Sequence, residues 1–165
     1  MADHAETPVL PITCLPRILV VADGLTHRSI VTRMVRAMGF PVWSSSSSHA
    51  ALRFLRDHPR EIRLLLADLG LRRMDGGELA ERARDLDPRI HAVLMVGSTD
   101  PHADDLVMGY VYLPFVAKPV AFAELAAVLN DLLGAVPAVD NRPSVTRPRR
   151  RRAGGSVNEG ATPFT

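Results

Sequence analysis

Ile62-Arg63-Leu64-Leu65-Leu66-Ala67-Asp68 is a short apolar run that ends on a carboxylate. A second run, Ile18-Leu19-Val20-Val21, is rich in β-branched residues and is followed closely by Asp23-Gly24. Short, nearly continuous apolar runs of this kind are typical of strands that are buried on both faces of a parallel sheet. The two runs therefore predict two buried parallel strands, each with an acid just beyond the apolar part.

Strand and helix patterns alternate five times along the chain. The predicted strands are at residues 18–21, 42–43, 62–67, 90–96 and 111–116, and the predicted helices are at 26–38, 50–55, 77–86, 101–108 and 121–133. Because helices usually make the crossovers between parallel strands, this order predicts an α/β fold, a doubly wound (βα)5 sheet of five parallel strands with helices on both faces. Pro114 removes a ladder donor, so it places the fifth strand at an edge or shortens it to the residues from Phe115.

Two local patterns indicate where elements begin and end. In the first predicted helix, Ile30, Met34 and Ala37 recur at helical spacing, with Val31, Val35 and Met38 beside them. Thr26 is the predicted N-cap and Gly39 the predicted end. The five-serine run at 44–48 resembles low complexity, but it is short and lies between ordered patterns. We interpret it as the end of a strand, a loop and a helix cap.

Charge is distributed unevenly along the 165 residues. The formal net charge is only +2, from 20 Lys+Arg and 18 Asp+Glu, and Lys118 is the single lysine. Six of the arginines lie at 135–165, where two acids oppose them. We expect a flexible N-terminal arm at 1–16, one folded domain at 17–134 and a disordered Arg-rich tail at 135–165. Because no aromatic residues are interleaved with those arginines, we expect no sequence-specific binding of nucleic acid.

The composition also excludes several classes of protein. Cys14 is the only cysteine, which excludes an intramolecular disulfide framework and a CxxC metal site. The longest apolar candidate, at 108–116, is far shorter than the roughly 18 residues of a membrane span. The acidic first residues lack the basic start and apolar core of a signal peptide. The expectation is a soluble, cytoplasmic protein.

Several polar groups follow the predicted strands. Asp23 follows the first, Asp68 the third, a small-residue loop at 96–98 the fourth, and Lys118 the fifth. The carboxyl ends of parallel strands meet at one rim of a sheet, where ligands bind. Two carboxylates at that rim suit a hard cation such as Mg²⁺, and an ammonium group neutralises a further negative group. This set predicts phosphoryl chemistry on a carboxylate nucleophile.

Residues 17–134 resemble a bacterial response-regulator receiver domain. The matching pieces are the first apolar run with its acid, Leu65-Leu66-Ala67-Asp68-Leu69, Met74-Asp75-Gly76-Gly77-Glu78-Leu79 and Lys118-Pro119. The separations of 45 residues from Asp23 to Asp68 and of 50 from Asp68 to Lys118 also suit that family. The resemblance implies a flavodoxin-like fold and a role in two-component signalling. It implies no enzymatic activity beyond the domain's own phosphorylation and dephosphorylation.

The resemblance also implies roles for individual residues. Asp68 would accept a phosphoryl group from a histidine kinase or a phosphotransfer protein, and Lys118 would pair with the phosphoryl oxygens. Asp23, Asp68 and the backbone carbonyl of Gly70 would bind Mg²⁺. Val96 and Phe115 occupy the family's two switch positions. Phosphorylation would change the face formed by the predicted helix at 101–108, the fifth strand and the last helix, and that face would contact a downstream protein.

Two site positions depart from the family pattern. Ala22 stands where the family usually has a second acid, which weakens the expected Mg²⁺ site without abolishing it. Val96 stands where the family usually has a hydroxyl, so its usual coupling to Phe115 is in doubt, and Ser98 substitutes only if the loop is arranged differently. The aromatic segment at 110–114 is also unusual, and it is interpreted either as a partner-binding face or as packing over the short helix before it.

Two readings of function follow from these residues. In the first, the chain is a stand-alone receiver that is phosphorylated on Asp68 and signals by protein–protein contact. In the second, it is a phosphorylation-independent pseudo-receiver that acts as a binding or scaffold module. A phosphatase of the haloacid-dehalogenase type is disfavoured, because Asp23 is followed by Gly24-Leu25 rather than by a second Asp two residues on.

Overall fold

The computed structural model describes residues 15–97, 105 and 108–134, which form an alternating series of strands and helices. In chain order the elements are β1 Arg17–Val21, α1 Leu25–Ala37, β2 Val42–Ser45, α2 Ser48–Asp57, β3 Ile62–Asp68, α3 Gly76–Leu86, β4 His91–Val96, β5 Phe115–Ala117 and α4 Phe122–Leu133. The strands pair in parallel in the order β2-β1-β3-β4-β5. The predicted doubly wound sheet of five parallel strands is confirmed.

The sheet separates two apolar layers, because successive side chains of a strand point to opposite faces. On one face, Leu19 and Leu65 pack with α2 and α3. On the other face, Ile18 and Leu66 pack with α1 and α4. All four of these strand side chains are essentially inaccessible to solvent. Burial on both faces explains why the runs in β1 and β3 carry almost no polar residues.

The serine run has the three roles that its sequence indicated. Ser44 and Ser45 end β2, and Ser47 is the N-cap of α2, where its hydroxyl accepts a hydrogen bond from the Ala50 N–H at 3.4 Å. Ser48 is the first residue of the helix and is buried. Each serine therefore has a defined position.

The predicted N-cap of α1 was wrong, and of the two neighbouring apolar rows the structure buries the one that contains Val31, Val35 and Met38. The N-cap is Gly24 rather than Thr26, and no side chain bonds to the first turn. Val31 and Val35 are buried, whereas Ile30 is 45% exposed. The helix is rotated so that Val31 and Val35, one turn apart, face the sheet. Gly39 follows the helix with a φ of 91°, as expected for a glycine just past a helix end.

The fifth strand starts later than the pattern at 111–116 predicted. Residues 110–112 form a turn, and β5 is limited to Phe115–Ala117. The Pro114 carbonyl accepts a hydrogen bond from the Leu94 N–H at 2.9 Å, and β5 lies at the edge of the sheet. Both effects expected of Pro114 are therefore observed.

Some predicted segments fall outside the described residues. These are the arm up to residue 14, the tail from 135, and most of the helix predicted at 101–108, of which Asp105 and Met108 are helical. Within the described ranges, none of the helices combines the length and the apolar character needed to cross a membrane.

Candidate functional site

Asp68 and Lys118 meet at the carboxyl end of the sheet. Asp68 ends β3 opposite Met95 of β4, and Lys118 directly follows β5. The Lys118 Nζ donates a hydrogen bond to Asp68 Oδ1 at 2.5 Å, and the two side chains are only 20% and 13% exposed. The Lys118 N–H bonds the Val96 carbonyl at 2.7 Å, so β4 holds the lysine backbone in place. Two residues 50 positions apart thus form a charge-assisted hydrogen bond in a partly buried site.

Asp23 lies at the same rim, just beyond β1, and its side chain is 31% exposed. Its Oδ2 accepts a hydrogen bond from the Arg72 N–H at 3.1 Å, and the Arg72 Nε lies 3.8 Å from the same oxygen. The Arg72 side chain is 92% exposed, so the ion pair itself contributes little. The backbone contact is the more informative one, because it ties the loop after β3 to the end of β1.

The donor set at this rim fits a magnesium ion. Gly70 lies in the turn between Asp68 and Arg72, so its carbonyl belongs to the loop that Asp23 holds. Two carboxylates and a carbonyl are hard oxygen ligands, and Mg²⁺ usually keeps several waters beside such a set. The described part of the chain has no group of three or more His, Cys, Asp or Glu side chains able to hold a metal. A cation bound here would therefore depend on Gly70 and water as well as the carboxylates.

Ala22 has a structural role that an acid would not fill in the same way. Its side chain is fully buried in the layer that contains α1 and α4. Its carbonyl accepts a hydrogen bond from Arg28 Nη1 at 2.7 Å, and the same atom lies 3.4 Å from the Asp23 carbonyl. Arg28 thus holds the turn between β1 and α1 through backbone oxygens, which keeps Asp23 at the rim.

Val96 and Phe115, the residues at the two expected switch positions, differ in their exposure. Val96 is half-buried and packs against the layer that contains α2 and α3. Phe115 is 55% exposed and pairs in register with Leu94. Ser98, the alternative hydroxyl, lies outside the described residues. Val96 contributes apolar packing and the carbonyl that positions Lys118, and neither contribution requires a hydroxyl.

Two residues near Asp68 were missed by reasoning from sequence. The His27 Nδ1 lies 3.9 Å from Asp68 Oδ2, on the other oxygen from the one that Lys118 contacts, and the side chain is 25% exposed. His27 lies in the first turn of α1, and no pattern in the sequence links it to Asp68. Gly76 is the second, because a β-carbon there would lie 2.5 Å from the Asp68 carbonyl oxygen. The adjacent glycines at the start of α3 were the available signal.

Comparison with known proteins gives the same fold and a family. The model of the response regulator receiver domain matches residues 18–130. The transcriptional regulatory protein ZraR of Escherichia coli (strain K12) is 30% identical over 132 residues, which cover 78% of this chain and 29% of that protein. The receiver protein CpdR of Brucella abortus (strain 2308) is 30% identical over 83 residues, 50% of this chain and 68% of that protein. The chain spans less than a third of the length of the ZraR proteins that it matches.

Solved structures share the fold at lower sequence identity. A response regulator receiver domain protein from Clostridium thermocellum aligns with a TM-score of 0.64 at 21% identity, covering 72% of this chain and 94% of that one. The chemotaxis protein CheY4 of Vibrio cholerae aligns with a TM-score of 0.62 at 17% identity, covering 73% and 100%. At these identities the structures support the fold alone.

The family has a known general role. Receiver domains are signalling domains rather than classical enzymes, and a kinase phosphorylates them on an aspartate. They generally bind Mg²⁺ at the phosphorylation site and interact with histidine kinases or phosphotransfer proteins. The family model covers most of the chain, and the five-stranded parallel sheet with an acid and a lysine paired at its carboxyl rim agrees with it. This protein therefore belongs to the response regulator receiver domains of two-component signalling.

Proposed function

We propose that this chain accepts a phosphoryl group on Asp68 from a histidine kinase or a phosphotransfer protein and signals by protein–protein contact. The observation that carries the proposal is the 2.5 Å contact between Lys118 Nζ and Asp68 Oδ1 in a site where both side chains are at least four-fifths covered. A lysine held this way stays beside the carboxylate and is ready to contact a new anionic group on it.

The transfer requires only an in-line displacement at phosphorus. An oxygen of Asp68 attacks the phosphorus, an O–P bond forms, and the P–N bond of a phosphohistidine donor breaks with its electron pair returning to the imidazole. Lys118 neutralises charge on the transferred oxygens. Asp23, Asp68 and the Gly70 carbonyl would hold Mg²⁺, which when bound would supply further neutralisation of that charge.

The proposal extends to output by protein–protein contact. Met108, Val111, Tyr112 and Phe115 are large apolar or aromatic residues that are 55% or more exposed, on and before β5. Exposed apolar surface of this kind suits a protein partner. The downstream face is therefore the one formed by the predicted helix at 101–108, β5 and α4. A cytoplasmic location and a folded unit at 17–134 belong to the same proposal.

The direct test is phosphoryl incorporation measured by intact-protein mass spectrometry. With Mg²⁺ and either acetyl phosphate or a phosphorylated histidine kinase, the wild-type chain should gain one phosphoryl group and Asp68→Asn should gain none. Asp57→Asn is the matched control, because Asp57 is exposed at the end of α2 and takes no part in the pocket. Absence of labelling with every donor, or labelling of Asp68→Asn, would exclude the proposal.

The pseudo-receiver is the second candidate, and a specific observation favours it. Ala22 is buried as part of the core, so the missing acid has been replaced by apolar packing rather than by another polar group. A module that works without phosphorylation predicts that Asp68→Asn retains partner binding and cellular phenotype. Loss of either in that variant favours the phosphorylated receiver instead.

A further inference from the structure

Tyr110 lies directly on Gly77, in the first turn of α3. A β-carbon at Gly77 would overlap the Tyr110 ring, so the ring can pack here only because residue 77 is glycine. The ring is partly buried and packs against the apolar layer that contains α2 and α3. A glycine inside a helix costs stability relative to alanine, so the contact with Tyr110 gives a physical reason for it.

The same helical turn also contacts the backbone of the candidate phosphoacceptor. The Gly76 N–H donates a hydrogen bond to the Leu69 carbonyl at 3.0 Å. The Gly76 backbone lies so close to the Asp68 carbonyl that even a methyl group would collide with it. Asp68 and Tyr110 therefore contact adjacent glycines, and a shift of either contact moves the same turn.

The surroundings of the Tyr110 phenol keep it in its neutral form. Asp75, the residue that caps α3, is one of the acidic groups that act on it. Burial, with the negative charge of Asp75 beside it, raises the pKa of the Tyr110 phenol to about 12. The phenol is therefore neutral at physiological pH, which suits a ring that packs against the first turn of α3.

The tyrosine also belongs to the chain that leads into β5. The Leu113 N–H donates to the Tyr110 carbonyl at 2.9 Å, and Leu113 is buried. Two residues past Tyr110, the Tyr112 hydroxyl donates to Glu81 Oε1 at 2.5 Å. The turn before β5 is thus fastened to α3 at its first turn and again farther along the helix.

We propose that Tyr110 is a positioning residue for the pocket. Packed on Gly77, it holds the first turn of α3 and thereby keeps Gly76 against the Asp68 carbonyl. In this way it couples the pocket to the chain leading into β5. The inference rests on the proposed function of Asp68. It provides a route from the pocket to the exposed face that needs neither a hydroxyl at Val96 nor a buried ring at Phe115. Close packing transmits such shifts because it leaves no free volume to absorb them.

The coupling is measurable with fluoroberyllate plus Mg²⁺, a stable mimic of a phosphoryl group. Tyr110→Ala should weaken fluoroberyllate affinity by about 5-fold or more, the lower end of typical coupling between sites. Gly77→Ala should weaken it similarly, although alanine favours the helix, because the methyl group displaces the ring. The double variant should lose no more than either single one, since contacting residues give non-additive effects.

Two further variants separate positioning from general destabilisation. Tyr110→Phe keeps the ring on Gly77 and should retain most of the affinity. Tyr112→Phe removes the Glu81 contact on the same segment and should bind like wild type. Melting temperatures check that each variant is folded at the assay temperature. Wild-type affinity in Tyr110→Ala or Gly77→Ala, or additive losses in the double variant, would overturn the inference.

A measurement on the wild-type chain tests the same coupling without any variant. Tyr110 and Tyr112 are the only tyrosines, so protein labelled in tyrosine rings gives two sets of NMR signals. Saturation with fluoroberyllate and Mg²⁺ should shift the Tyr110 signals, and unchanged signals would overturn the coupling alone. If the wild-type chain neither binds fluoroberyllate nor takes up a phosphoryl group, the proposed function fails and the coupling fails with it.

Discussion

Lys118 is the only lysine in a chain whose other cationic side chains are all arginine. Its side chain is 20% exposed, and its Nζ lies 2.5 Å from Asp68 Oδ1. An ammonium is a compact point charge on a flexible stem, whereas guanidinium is a larger planar fork. The space beside Asp68 favours the compact group, which explains the exception to an otherwise uniform use of arginine.

Substitution of Lys118 tests this explanation. We expect Lys118→Ala to lower the rate of phosphorylation by acetyl phosphate about 100-fold, as for loss of one charge-stabilising donor. Lys118→Arg should recover only part of that loss, because the charge remains but the shape does not fit. The rates follow from time courses of intact mass. Arg82→Lys, an exposed exchange in the ion pair with Glu78, is the control and should leave the rate unchanged. A fully active Lys118→Arg would show that charge alone is sufficient.

At the scale of elements, the strands were predicted better than the orientation of the helices. The apolar run of β3 permits few alternatives, because both of its faces are buried. In α1, Ile30 and Val31 are both apolar, and only contact with the sheet determines that Val31 is buried and Ile30 is half exposed. In β5, the residues at 111–113 have strand-like composition, but Leu113 packs into the core as part of a turn held by Tyr110.

The end of α3 has an ion pair that should affect stability in acid. Asp87 accepts hydrogen bonds from Arg89 Nε at 2.8 Å and from Arg89 Nη2 at 2.6 Å. The hydrogen bond from the Arg89 side chain is the main reason that the pKa of Asp87 is lowered from 3.8 to about 2. A carboxylate whose pKa is lower in the folded state stabilises that state above the unfolded pKa, and the contribution is lost as the pH falls toward the folded pKa.

We therefore expect Asp87→Asn to reduce the dependence of stability on pH between about 4 and 2. Urea unfolding of the wild-type chain and of Asp87→Asn at several pH values measures this dependence. The difference between their free energies of unfolding should be largest near neutral pH and smallest near pH 2. Asp85→Asn on the exposed side of α3 serves as the control for loss of a single carboxylate. A constant difference between Asp87→Asn and wild type across this range would contradict the assignment.

At the scale of the whole molecule, the sheet places apolar layers on both faces and polar groups at the carboxyl rim. Asp23 and Asp68 come from adjacent strands, β1 and β3. Arg28 and Arg72 contact the backbone or the carboxylate at the end of β1, and Lys118 contacts the end of β3. A cation bound between these strands would join two parts of the sheet, and its binding free energy would add to the stability of the fold.

Mg²⁺ should accordingly raise the melting temperature of the wild-type chain. A ligand that binds only the folded state stabilises it by about 2.7 kcal/mol at 100 times its dissociation constant. Asp23→Asn and Asp68→Asn should each lose most of this stabilisation. Glu61→Gln, which removes an acid at the other end of the sheet, should keep it. Equal stabilisation of all four proteins by Mg²⁺ would place the ion elsewhere.

The sequence by itself determined the alternation of strands and helices in a parallel sheet and the acids that follow the buried strands. It did so because burial on both faces of a parallel sheet requires continuous apolar runs and leaves polar residues only at the ends. The prediction at Pro114 also followed from local chemistry, since a residue without an N–H cannot continue a ladder. These inferences depend on neighbours in sequence or on a general property of the fold.

Only the tertiary structure decided which distant side chains contact one another. His27 lies beside Asp68 because α1 packs over the end of β3, and Tyr110 lies on Gly77 because the turn before β5 packs over α3. Neither contact leaves a periodic pattern, because each joins residues from separate elements through side-chain shape and close packing. Periodicity reports which face of an element is apolar, whereas the packed core determines which residues on those faces meet.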